Sequence, residues 1–212
     1  DRPTPHSAND NLNFQDTNRL AIPYASVSSG IYNSSQSIDL FLNDFSYMIY
    51  YTLDGSIPTL NSSVYSGSIS IDSTSILRAK AFSNNKISSK VLTNSYVINH
   101  NSLSMPLVSI SINPEYLWDD QIGIYTTGQN GSSLSGEWGS ISGWGIANYW
   151  QDWERPAHIE YFNKYGQLKF STEMGIKMHG GFSRTYPQKS MSLHCRPKYG
   201  LEQIEHQIFS DK

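Results

Sequence analysis

Residues 175–196, GIKMHGGFSRTYPQKSMSLHCR, gather the groups in this chain best suited to holding an anion. Gly180 and Gly181 tolerate positive φ and let another group approach the backbone closely. Successive amides in such a turn can form an anion-binding concavity. Ser183 adds a hydroxyl, and Arg184 adds a planar fork that matches phosphate or carboxylate. Lys189, just ahead of a second alternating run, offers a point charge of the kind that meets nucleotide phosphates. The same residues equally suit a glycine-containing hairpin turn with solvated cations. Neither GxxxxGK[ST] nor GxGxxG is present to decide between the two.

Other reactive side chains are sparser. Glu115, Asp119 and Asp120 offer oxygens to a calcium ion, or else a capped helical turn after Pro114 with solvated acids. His158, His179 and His194 fall on predicted strands, and a zinc site needs three or four converging ligands, so no metal site is expected. Cys195 adjoins His194, but neighbours on a strand point to opposite faces and make no dyad. Trp138, Trp144, Trp150 and Trp153 would serve either as a saccharide-stacking platform or as hydrophobic anchors for a long loop.

The elements that must position these groups are strands. The chain has 212 residues, 16% charged and 13% aromatic, with a net charge of −3. Few charges combined with abundant Ser, Asn and Tyr suit solvated strand faces and turns. A near-neutral balance leaves no basic face, so no nucleic-acid partner is expected. No apolar run approaches the roughly 18 residues of a membrane span. The single Cys195 excludes an internal disulfide. The start at Asp1, without a methionine, suggests an excerpt of a longer polypeptide.

Residues 1–19 read as a polar linker or the tail of a preceding module. Residues 20–99 read as short strands: 36–43, with Ile38, Leu40 and Leu42 on one face, then 47–53, 68–71, 76–82 and 91–99. The Asp54–Gly55 pair marks a turn between them. Their spacing predicts a small immunoglobulin- or fibronectin-III-like β-sandwich. Residues 100–105 are a linker. From 106 onward a second mixed, mostly antiparallel β unit is predicted. It contains a strand at 106–113, a helical turn then a short strand over 115–126, and a Gly/Ser-rich loop at 127–145. A hairpin over 155–170 and strands at 172–180 and 189–195 follow. Residues 201–209 suit a short helix or an irregular arm.

Two resemblances sharpen this. The segment from Pro23 through YTLDGSIPT (51–59) to ILRAKAF (76–82) and VLTNSYVI (91–98) resembles the C-terminal module of chitobiase and hexosaminidase-type enzymes. That module implies an accessory scaffold rather than an activity. PLVSISINPEYLWDDQIGIY, NYWQDWERPAHIEYFNKYGQLKF and MGIKMHGGFSRTYPQKSMSLHCRPKYG are similar to the N-terminal part of CotH-type spore-coat proteins and their secreted bacterial relatives. This second resemblance implies part of an atypical kinase-like domain, an N-lobe. ATP and Mg²⁺ would be cofactors of the complete domain, and Gly180, Gly181, Ser183, Arg184 and Lys189 would form its nucleotide-contacting turn. The acidic metal-binding and catalytic residues of that family would follow Lys212, so the fragment alone is expected to bind no cofactor and transfer no phosphoryl group. A secreted or cell-surface bacterial setting is implied. The implied partners are the rest of the polypeptide and either a secreted protein substrate or neighbours in a surface assembly. Two non-enzymatic roles stand beside this one: a structural or adhesion component, and carbohydrate binding through the Trp-rich loop.

Overall fold

A computed structural model describes residues 18–43, 47–100, 103–129 and 146–208. It is β-rich, as composition and periodicity predict, with several sheets and the short α-helix Pro114–Trp118 among the described residues.

Strict alternation builds the first part. In β8 (Ser75–Phe82), Leu77, Ala79 and Ala81 are completely buried, while Arg78 and Lys80 face the other way. β9 (Leu92–Ile98) buries Tyr96 and Ile98 on the same side. These strands form the centre of a five-stranded sheet. Its other members are β2 (Gly30–Tyr32), beside β9, and β5 (Met48–Thr52) and β6 (Ser63–Val64), beyond β8. Only the β2–β9 pair is parallel. Two small pairs cover the core: β1 (Tyr24–Ala25) with β4 (Leu40–Phe41), and β3 (Gln36–Ile38) with β7 (Ile69–Ile71). Ile38, Leu40, Ile69 and Ile71 from these pairs close the core against Ile49, Leu77 and Tyr96. Burial of such side chains stabilises by roughly 1.5–3 kcal/mol each. Tyr96 satisfies its hydroxyl by donating to the Val27 carbonyl at 2.7 Å, and desolvation pushes its phenol up to about 12. The predicted turn after β5 forms as the residue types require. Gly55 takes φ +81°, and the Asp54 carboxylate accepts from both the amide and the hydroxyl of Ser56.

The second part is an antiparallel meander of β10 (Leu107–Ile112), β11 (Arg155–Phe162), β12 (Leu168–Met178) and β13 (Met191–His194), paired in chain order. The predicted hairpin turn carries Gly166 at φ +75°, and Asn163 Oδ1 accepts from the Tyr165 and Gln167 amides. One sheet face buries Ala157, Ile159, Met174, Ile176 and Met178. Against it pack Ile124, Ala147, Tyr149 and partly buried Leu117, Trp150 and Trp153.

The other face is polar and meets the outer face of β8 and β9. Glu160, 1% exposed, accepts the Ser95 amide at 2.9 Å. Ser95 and Ser109 share a hydroxyl hydrogen bond at 2.7 Å, and Arg78 Nη2 donates to the Ser111 carbonyl at 2.8 Å. Strand period two explains this double use of the sheets, because each strand offers one apolar and one polar face.

The helix expected after Asn113 is present as α1 (Pro114–Trp118), with Pro114 in its first turn. The short strand expected next does not form among the described residues. Instead the amides of Gly123, Ile124 and Tyr125 return to the carbonyls of Asp119, Tyr116 and Leu117. Asp119 Oδ1 holds the bend by accepting from the Gln121 and Ile122 amides. Residues 201–208 form an irregular arm rather than a helix.

Candidate functional site

The turn between β12 and β13 brings the singled-out residues together. Gly180 takes φ +96°, and a side chain there would collide with the Ser183 hydroxyl. Phe182–Thr185 form a 3₁₀ turn. Arg184 then folds inward. Its Nε donates to the Gly180 carbonyl at 2.6 Å, and its Nη1 reaches the Trp150 and Tyr149 carbonyls at 3.3 and 3.4 Å. Lys189 also turns onto the protein. Its ammonium donates to the Tyr186 carbonyl at 2.8 Å and lies 4.4 Å from the Tyr149 ring centre and 5.4 Å from that of Tyr125. Desolvation lowers its pKa. The Tyr125 hydroxyl clamps the same loop, accepting the Lys189 amide and donating to the Pro187 carbonyl.

This arrangement holds a loop closed. Both cations donate to backbone carbonyls and lie against aromatic rings. A phosphate in this turn would compete with those carbonyls for the Arg184 and Lys189 donors.

Among the other candidates, Trp138 and Trp144 lie outside the described residues. Trp150 and Trp153 are partly buried against the meander core and carry the guanidinium groups of Arg184 and Arg155 on their rings. His194 bonds Ser192 at 2.9 Å, with Cys195 left as a free thiol. Among the described residues, no group of three or more His, Cys, Asp or Glu side chains is placed to hold a metal.

A second location, which residue spacing did not reveal, is a cleft of about 660 Å³ where the polar faces of the two parts diverge. Arg78, Lys80 and Lys90 come from the sandwich, and His158, Glu173 and Tyr199 from the meander side. His158 lies opposite Glu173 in the β11–β12 register. Its Nδ1 is 2.8 Å from Glu173 Oε1, and its Nε2 is 2.9 Å from Ser171 Oγ. Partial burial would raise the Glu173 carboxyl, but the His158 hydrogen bond and charge reverse this and hold it below the usual range. Ser, His and Glu in this order match a nucleophile, its base and an orienting acid. Acyl transfer also needs donors converging on a developing oxyanion. Ser171 and Glu173 sit on a regular strand, whose successive amides point to opposite edges. The two bonds hold the imidazole of β11 against β12.

The cleft wall at Lys198 and Tyr199 is anchored by Glu154, a carboxylate that sequence reading passed over. Its Oε2 accepts Arg196 Nε at 2.7 Å, and its Oε1 accepts Lys198 Nζ at 2.8 Å and the Tyr199 hydroxyl at 3.0 Å. Burial alone would raise Glu154, yet these three hydrogen bonds bring it down to about 2.

Fold and sites together define a β-sandwich module docked through polar contacts onto an antiparallel meander. Within it, residues 27–93 match the family model of the chitobiase/beta-hexosaminidase C-terminal domain, inside the segment 23–98 that resembles this module. No curated protein and no solved structure matches the chain.

Proposed function

We propose that this chain is a non-phosphorylating scaffold fragment of a secreted or cell-surface, bacterial, multidomain protein. In this reading residues 20–99 are an accessory sandwich. Residues 106–212 are the N-terminal portion of a CotH-like, kinase-related domain, and a short linker joins the two. The matched family is named for glycosidases that act on chitin-type sugars, which supports a carbohydrate-related parent protein. The order of motifs along 106–200 supports the kinase-related ancestry. The observation that carries the scaffold role is the internal engagement of Arg184 and Lys189.

The test is thermal unfolding with ATP and Mg²⁺, together with labelling from γ-labelled ATP. A ligand present at about 100 times its Kd stabilises by about 2.7 kcal/mol, which is several degrees in Tm for a chain of this size. The expected result is neither a shift nor labelling. A shift of several degrees that Lys189→Ala abolishes would overturn the scaffold reading. It would favour the second one, an ATP-dependent protein kinase whose Lys189 swings to the phosphates. The motif order supports that alternative, and repeating the titration on a longer polypeptide tests it directly.

A further inference from the structure

The cleft between sandwich and meander contains an arginine that the fold leaves largely unanswered. Arg78 is 5% exposed, yet it makes one hydrogen bond, to the Ser111 carbonyl. Its Nε is buried without a partner, and none of the described carboxylates forms an ion pair with it. A buried cation with empty donors is costly unless something pairs with it. Glu173 and Asp54 are near enough to be felt electrostatically, but Glu173 is committed to His158 and Asp54 to Ser56.

Around this arginine cations outnumber carboxylates: Lys80, Lys90 and Lys198 line the cleft with Glu173. Lys80 and Lys90 line it and form no ion pair with a described carboxylate. The rest of the lining includes Tyr116, Asn113, Thr172 and Tyr199, one face of whose ring carries the Lys198 ammonium. The volume falls in the range of small-molecule sites. Aromatic faces beside hydroxyl and amide groups suit the alternating apolar and hydroxylated faces of a sugar ring. The Arg78 guanidinium and the ammonium groups of Lys90 and of Lys80, which lies over the Phe82 ring, form no ion pair with a described carboxylate and suit an incoming one.

We propose that this cleft binds an acidic oligosaccharide, with a uronate carboxylate on Arg78, neighbouring acidic groups met by Lys80 and Lys90, and a sugar face against Tyr116 or Tyr199. The site draws on both parts of the molecule, so the sandwich would act as half of a binding cleft rather than as a spacer. It is independent of the turn at 180–189.

Calorimetric titration of the 212-residue chain with trigalacturonate tests this, with maltotriose as the neutral control and inorganic phosphate as a bare anion. The expected result is saturable trigalacturonate binding that weakens when salt rises from about 50 to about 200 mM, with no maltotriose binding. The double variant Lys80→Ala/Lys90→Ala, at positions outside the buried core, should weaken it about tenfold or more at unchanged Tm. Arg78→Lys should weaken it further because an ammonium cannot reproduce the planar fork. Should Arg78→Lys fail to fold, the lysine pair alone decides. Absence of trigalacturonate binding at about 5 mM would overturn the proposal. So would equal affinity for maltotriose, binding of phosphate alone, or full affinity in the lysine variant.

Discussion

Replacing Glu154 by Gln keeps the shape of the side chain and removes its charge. Glu154 is a hub: its side chain is 10% exposed, it lies over Gly175 of β12 so closely that a Cβ there would come within 2.6 Å of its carboxyl carbon, and it holds Arg196, Lys198 and Tyr199. Its carboxyl is lowered from 4.5 to about 2, a difference worth about 3.4 kcal/mol if fully expressed. Arg196 and Lys198 are 45% and 58% exposed. Solvent screening therefore reduces the contribution to about 1–1.5 kcal/mol. A carboxyl with a depressed folded-state pKa stabilises above its unfolded value, here about 4.5, and loses that contribution as pH falls toward 2. Urea denaturation at pH 7 should show Glu154→Gln less stable by about 1–1.5 kcal/mol, and the gap should fall below half by about pH 3. A gap that stays constant from pH 7 to pH 3, or none at pH 7, would refute the reasoning.

Glu160→Ala removes the acceptor of the buried Ser95 amide and should cost about 1–3 kcal/mol, whereas Glu160→Gln, which keeps an acceptor oxygen, should cost clearly less. Equal losses by chemical denaturation would contradict this. Gly128→Ala forces a side chain against the Asn148 amide at φ +72°; about 2 kcal/mol or more should be lost, and an unchanged Tm would count against the placement. Arg184→Lys leaves a point charge unable to reach the carbonyls of Gly180, Tyr149 and Trp150 together, so about 1–2 kcal/mol of stability should go, with faster proteolysis at 180–189 as a second readout. Resistance equal to the parent chain would show that the arginine does not clamp the loop.

Much of the β architecture was readable from residue order because it is local. Leu77, Ala79 and Ala81 alternate with Arg78 and Lys80, so the core-facing side of β8 follows from strand geometry. Asp54–Gly55–Ser56 and Asn163–Gly166 shape their own turns with their own side chains. The strand expected within 115–126 fails where a competing local bond wins, since Asp119 caps the bend and amides 123–125 return to α1.

What residue order determined by itself was therefore the strands, their buried faces and the glycine turns. Tertiary packing decided which distant groups the cations meet. Arg184 and Lys189 look free in sequence, yet carbonyls and rings from residues 125 and 149–150 claim them. Arg78 looks like an ordinary outward strand residue, yet the arriving meander buries it without an acid to pair with. A side chain's face is set by backbone period over a few residues, whereas its partner depends on segments tens of residues away whose approach no local pattern encodes.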